Sequence, residues 1–150
     1  MSQIAPSIDP ATLRQRVEAS LARQGMMQHL GVRLLDVAPG EVTLVLPYSD
    51  KVTQQQDGFH GGAMGALADI AGGYAGLTVA PEGMEVTTVE YKINFLAAFQ
   101  GGELRAIGRV VRAGKRLIIT TAELVHVAPD GKRSDCAIMQ QTLAPVPKTY

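Results

Sequence analysis

Eighteen residues from His60 to Leu77 carry a single charged side chain, Asp69. The stretch is too long and too rich in alanine for a strand and predicts a buried helix. Yet it holds six glycines, each worse than alanine inside a helix by about 1 kcal/mol. Projected at about 100° per residue, Gly61, Gly62, Gly65, Gly72, Gly73 and Gly76 share an arc of about 120°, with Asp69 inside it. Met64, Leu67, Ile70, Tyr74 and Leu77 fall outside the arc and form the face expected to pack on a sheet. A face without side chains lets another backbone or a ligand approach closely. Two readings are open for it. It packs against a partner helix, with Asp69 capping or pairing there, or it lines a site in which Asp69 does chemistry.

The chain is long enough to surround such a helix. Its 150 residues, 46% hydrophobic and 19% charged, suit one globular domain with a real core. Fourteen Lys plus Arg balance fourteen Asp plus Glu, which gives no electrostatic pull toward nucleic acid or an anionic membrane. The one cysteine, Cys136, sits in the apolar run Cys136–Met139; it reads as an inert core residue and can form no intrachain disulfide. With three scattered histidines it does not make a zinc set. Met1–Pro6 lacks the basic and apolar regions of a signal peptide. The longest apolar stretch is broken by glycines and Asp69, so no membrane span is expected. The expected location is the cytoplasm.

Residues 1–8 are expected to form a flexible tail and 9–150 a single domain. Asp9-Pro10 offers an N-cap followed by proline at the first helical position. Leu13, Val17 and Leu21, spaced by four, predict an amphipathic helix that Gly25 ends. From Gly31 the period shortens. Val32, Leu34 and Val37 suggest one strand, and Val42, Leu44 and Leu46 a second beyond the Pro39-Gly40 turn. Ser49 to Gly58 is polar loop, and the glycine-rich helix comes next. In Val89–Phe95 the odd positions are apolar and the even ones polar, which puts Tyr91, Ile93 and Phe95 in the core. Leu104–Val111, Leu117–Val127 and Ala137–Leu143 are further strands, joined by turns at Gln100-Gly101-Gly102, Ala113-Gly114-Lys115 and Pro129-Asp130-Gly131-Lys132. Hairpin connections with one helix against the sheet define an α+β class. His29 and His126 show no partner pattern and are assigned to the surface or an interface.

His60-Gly61-Gly62 opens the helix, Asp69 lies nine positions after His60, Gln54 precedes it by six, and Thr88–Leu96 is the strand downstream. These residues and the element order resemble the hot-dog fold, and more narrowly the PaaI-like acyl-CoA thioesterases of the phenylacetate-pathway type, over roughly residues 25–144. The resemblance implies one long central helix wrapped by a curved, mostly antiparallel sheet of about five to six strands, after an N-terminal amphipathic helix. It implies a homodimer or homotetramer with the active site at the subunit interface. It also implies hydrolysis of an aryl- or medium-chain acyl-CoA without a cofactor. By position, Asp69 corresponds to the catalytic carboxylate, acting as general base or nucleophile. Gly61 corresponds to the residue whose N–H polarises the thioester carbonyl. Gln54 matches the assisting amide, with Gln55 and Gln56 as neighbouring substitutes, and Thr88 the residue that helps to hold water. Two positions depart from the pattern. Many relatives carry asparagine where this chain has Gln54, and the glycine often found three residues before the histidine is Asp57 here, with Gly58 one place later.

The chemistry is self-consistent. A helix N-terminus presents N–H groups without intrahelical acceptors and the positive end of the dipole. One preorganised donor of this kind is worth about 3 kcal/mol to an oxyanion transition state. Thiolate leaves readily, so no strong general acid is needed. His60, Gly62, Gln55, Lys115 and Arg116 are candidates for binding substrate, the last two through the phosphates of CoA, with Arg109 and Arg112 as further cations. His60 has a structural alternative, bonding to backbone near the helix start, and each cation has the alternative of simple solvation. Two other functions compete: a non-catalytic acyl-CoA-binding protein serving as sensor or scaffold, and a hot-dog hydratase or dehydratase. The latter pairs a catalytic histidine with an acid in an arrangement not found here.

Overall fold

A computed structural model describes residues 8–150; the N-terminal tail expected over 1–8 lies, apart from Ile8, outside the described residues. In chain order the elements are α1 (Pro10–Ala22), α2 (Gly25–Leu30), β1 (Arg33–Ala38), β2 (Glu41–Pro47), a 3-10 turn over Asp50–Val52, α3 (Gly61–Leu77), β3 (Met84–Phe95), β4 (Glu103–Ala113), β5 (Ile118–Val127) and β6 (Arg133–Pro147). The strands form one antiparallel sheet in the order β1-β2-β4-β5-β6-β3, with α3 held against β2 to β6. This is the expected hot-dog arrangement.

Asp9 caps α1 by accepting from the Thr12 N–H at 3.1 Å, and Leu13, Val17 and Leu21 are buried on its inner face. One expectation is corrected here. Gly25 does not end a helix but opens α2, which Gly31 closes in the left-handed conformation at φ 81°. Six residues with only Met27 buried are too short for periodicity to register.

The glycines of α3 answer to the sheet. A Cβ at Gly72 would collide with Gln141 Oε1 and lie 2.8 Å from Thr120 Oγ1; one at Gly76 would collide with Leu143. Across the contact, a Cβ at Gly108 would strike the Ala71 carbonyl. The expectation that only the bulky face meets the sheet is therefore corrected. Met64 and Leu67 share the core with Leu44, Leu46 and Leu104, while the bare face lies against β5, β6 and β3. A curled sheet packs on both faces at once.

β3 is an edge strand, hydrogen-bonded only to β6. A bulge between Thr88 and Glu90 shifts its register. On one side of the bulge Thr88 pairs with Leu143; on the other Tyr91 pairs with Gln141 and Phe95 with Ala137. Tyr91 and Phe95 do face α3, since their rings meet Gly65 and Gly61. They are not core residues as the alternation predicts: they remain 41% and 51% exposed, because among the described residues no further strand pairs with this edge. Ile93 packs partly buried against the core. His126 is also corrected. It is buried, stacked on Phe99 at 4.4 Å, with Nε2 3.0 Å from the Gly101 carbonyl oxygen. His29 is exposed at the end of α2.

Gly72 and Gly73 form a matched pair for measurement. Gly72→Ala is expected to lower stability by about 1–3 kcal/mol through overpacking. Gly73→Ala, with nothing within 4 Å of a new Cβ, should gain about 1 kcal/mol from helix propensity. Urea midpoints at constant slope decide both. Cys136 supplies a pH test. Its Sγ is buried 3.4 Å from Met64 Sδ, and burial pushes its thiol up to about 11. The reactive thiolate is the minor form below that value, so a thiol reagent at pH 8 should leave the folded protein unlabelled and label one equivalent after unfolding.

Candidate active site

Asp69 stands two turns into α3, half-buried. Thr88 Oγ1 donates to Asp69 Oδ1 at 2.6 Å. Gln141 Nε2 donates to the same oxygen and lies 3.2 Å from the Asp69 backbone carbonyl and 3.1 Å from Thr88 Oγ1. A carboxylate only accepts, so the amide nitrogen must be the atom that faces it. The other end of the amide is held too, since Thr120 Oγ1 donates to Gln141 Oε1 at 2.9 Å. Gln141 and Thr120 are fully buried. Among the described residues none bonds Asp69 Oδ2, so one carboxylate oxygen is anchored and the other is free. A cavity of about 100 Å³ opens beside Asp69 and Thr88, bounded by α1, α3 and β3.

Gln141 and Thr120 are absent from the site proposed from sequence. A signal for Gln141 exists: Ala137, Met139, Gln141 and Leu143 are the inward, buried row of β6, and an amide in that row needs a buried partner.

The helix start forms a second group. His60 is the N-cap of α3 and its Nδ1 accepts from the Gly62 N–H at 2.8 Å. Of the roles open to His60, this is the structural one. It also corrects the assignment of Gly62 to substrate, because that N–H is already engaged. Gly61, the first helical residue, keeps an N–H without an intrahelical acceptor.

The preceding loop is closed by the Gln54 N–H donating to the Gly58 carbonyl at 2.9 Å and the Asp57 N–H to the Gln54 carbonyl at 2.9 Å. The Tyr48 hydroxyl donates to the Asp57 carbonyl at 2.5 Å. Asp57 takes up left-handed backbone at φ 64°, the conformation that accounts for the glycine of the family pattern. The Gln54 side chain turns into this loop, its Oε1 accepting from the Gln56 N–H. Gln55 is exposed at the turn.

The two groups do not meet within one chain. Gly61 and Asp69 are eight residues apart, about 12 Å along the axis, and the Phe95 and Tyr91 rings lie over Gly61 and Gly65 between them. Lys115 and Arg116 are exposed in the β4–β5 hairpin. The adjoining Ile118 packs with Ala80, just past the C-terminal end of α3 and opposite to Gly61. Arg112 is exposed as well. Arg109 is corrected as a phosphate candidate, because Glu41 at 2.9 Å and Glu123 at 3.2 Å hold its guanidinium.

One long helix wrapped by a six-stranded antiparallel sheet is the hot-dog fold. The chain belongs to the thioesterase superfamily, whose family profile matches residues 58–130. It is 33% identical over 113 residues, 75% of this chain and 79% of the relative, to a protein of Saccharolobus solfataricus named as an inferred esterase. The crystal structure of a thioesterase family protein from Silicibacter pomeroyi is similar at 35% identity and a TM-score of 0.86, covering 91% of this chain and 99% of that one. The PaaI protein of the Escherichia coli phenylacetic acid degradation operon shares the fold, with a TM-score of 0.81 at 21% identity, covering 93% and 97%.

A double-mutant cycle tests the buried amide. Gln141→Leu and Thr120→Val should each destabilise by about 1–3 kcal/mol by stranding a buried polar group. The double variant should be less destabilised than their sum by at least about 0.5 kcal/mol. Additive losses in urea unfolding would show that the two side chains act separately.

Proposed function

We propose that the chain is an acyl-CoA thioesterase of the cytoplasm, acting on an aryl- or medium-chain acyl group. The observation that carries the reading is the Asp69 carboxylate, held at Oδ1 by Thr88 and Gln141 and free at Oδ2, beside a cavity. In the water route, Oδ2 takes a proton from water as the hydroxide oxygen bonds to the thioester carbon. The carbonyl oxygen becomes an oxyanion held by the Gly61 N–H, with an amide of the Gln54 loop assisting. Collapse breaks the carbon–sulfur bond and releases CoA thiolate, which takes up the proton. In the nucleophilic route Oδ2 itself bonds to the carbon, collapse of the oxyanion breaks the carbon–sulfur bond and expels CoA thiolate, and water then cleaves the anhydride to the free acid and the Asp69 carboxylate, a proton from that water passing to the thiolate. Neither route calls for a metal or a cofactor beyond the CoA of the substrate. Lys115 and Arg116 are the candidates for its phosphates.

The separation of Gly61 from Asp69 supports a site built by two copies. The unpaired edge of β3 and the exposed Val89, Tyr91, Phe95 and Leu96 offer a surface for a second chain, since a bare apolar edge invites pairing. A two-fold axis across β3 sets the two α3 helices antiparallel and brings Gly61 of one copy to Asp69 of the other.

The test is complementation between two inactive variants. Asp69→Asn is expected to release CoA at least about 1,000-fold more slowly than wild type across a panel of acyl-CoAs. Gly61→Pro deletes the donor N–H at a position where proline is tolerated, after a His60 already extended at ψ 133°; its new Cβ, 3.3 Å from the half-exposed Phe95 ring, asks that ring to shift by a few tenths of an ångström. Mixed and reassembled, the two variants should regain about a quarter of wild-type activity, since half the dimers are mixed and one of their two sites is intact. No recovery would place the site within one chain. An Asp69→Asn variant as fast as wild type would overturn the catalytic role of Asp69, and a wild type that releases no CoA from any member of the panel would leave acyl-CoA binding without catalysis.

A further inference from the structure

The cavity beside Asp69 is too small for an aryl or medium-chain acyl group. Its volume is about 100 Å³, and benzene alone takes a cavity of roughly 150 Å³. It suits water, which needs about 10–15 Å³ per molecule and about two to four polar partners. Asp69 and Thr88 supply polar atoms at one end, and Ser20, Gln24 and Glu85, from α1 and β3, at the other. Gln24 Nε2 donates to the Tyr74 hydroxyl at 2.8 Å, and Glu85 Oε1 accepts from the Tyr150 hydroxyl at 2.6 Å. Gln24 Oε1, Glu85 Oε2 and Asp69 Oδ2 have no partner among the described residues, so acceptors stand at both ends. Ser20, Gln24 and Glu85 are each half-buried, which opens their end to solvent.

Gly73 is the second observation. Packing accounts for the other glycines of α3: a Cβ would meet the rings of Phe95, His60 and Tyr91 at Gly61, Gly62 and Gly65, and the sheet at Gly72 and Gly76. At Gly73 it would meet nothing within 4 Å, yet glycine there costs the helix about 1 kcal/mol. The residue lines the cavity, four places beyond Asp69 and so about 6 Å further along the same face. No described residue takes the space that Gly73 leaves; a molecule moving along the cavity needs it. Resting on the thioesterase reading, we propose that this cavity carries the hydrolytic water to Asp69 from the α1 side, and that Gly73 keeps it open. Either route to hydrolysis consumes one water. In the two-copy site the thioester and the second chain stand at the β3 edge, so water arriving from α1 reaches Oδ2 without crossing the substrate. The acyl group lies outside the cavity in this assignment, and its length has no bearing on the supply.

The test blocks the cavity at two places and reads a short and a long substrate, butyryl-CoA and octanoyl-CoA. Gly73→Leu fills it next to Asp69. Ser20→Leu fills its mouth from α1, an element that makes no hydrogen bond to the carboxylate. Rates are taken per folded molecule, counted by circular dichroism. Each variant should lower kcat by at least about tenfold, by the same factor on both substrates, and leave KM within about twofold, because the loss falls after substrate has bound. Gly73→Ala should also be slower, by a smaller factor, although its helix is the more stable one; this separates slowing from unfolding. A loss that grows from butyryl-CoA to octanoyl-CoA would make the cavity an acyl pocket. A wild-type kcat in Ser20→Leu would confine the effect of Gly73→Leu to the neighbouring carboxylate. Either result overturns the water path and leaves the thioesterase reading in place. No release of CoA by wild type from these or any other acyl-CoA overturns both.

Discussion

Gly72 and Gly76 carry no side chains because Gln141, Thr120 and Leu143 occupy the space that side chains would need. This contact of α3 with β5 and β6 governs both the site and the core. It lets the amide of Gln141 cross from the sheet to the helix and hold Asp69 at one oxygen. It also lets the helix sink far enough that its bulky face joins the same core. The helix propensity lost at these positions, about 1 kcal/mol each, is offset by burial and by a hydrogen-bonded network that apolar packing would not provide. The amide is itself held at its other end by Thr120, so the orientation of the Asp69 carboxylate is fixed by buried partners.

Much of the fold is legible in the chain itself. Period-two alternation in β3, the turns at Gly101-Gly102 and Pro129–Lys132, and the Asp9-Pro10 cap are local signals, and each appears where local chemistry places it. What escapes depends on partners far away in sequence. α2 is too short to leave a periodic trace. His126 is buried because Phe99 stacks on it, and no neighbour in sequence announces that contact. The face of α3 assigned to the sheet is incomplete because a flat sheet covers one side of a helix, whereas this sheet curls around it.

The candidate site divides in the same way. Asp69, Gly61 and Thr88 emerge from spacing and resemblance, and Thr88 does bond Asp69. Gln141 hides in an inward row of β6 whose other members are apolar, although an amide there is the anomaly that pattern analysis can detect. Gly62 is a natural candidate for substrate because consecutive glycines at a helix start offer two donors. The His60 ring removes one of them, so of the two glycines Gly61 is the one whose N–H stays open to a ligand. The roles of Lys115 and Arg116 depend on where a second chain would lie, which sequence spacing does not encode.

The bulge in β3 has a consequence for how this protein can change. Before it, Thr88 faces inward from an even position; after it, Tyr91 and Phe95 face inward from odd ones. The strand is two rulers of opposite phase joined at Val89, since the extra residue of a bulge inverts the side-chain parity downstream. One segment of the ruler serves the carboxylate and the other the helix face along the open edge. Deleting Val89 would leave a regular strand with both segments on their present faces, since Thr88, Glu90 and Tyr91 already pair with the consecutive Leu143, Thr142 and Gln141; deleting a residue on either side of the bulge would turn one segment inside out relative to the other. Point substitutions can vary the edge without touching Thr88, whereas a change of length is absorbed only at the bulge itself.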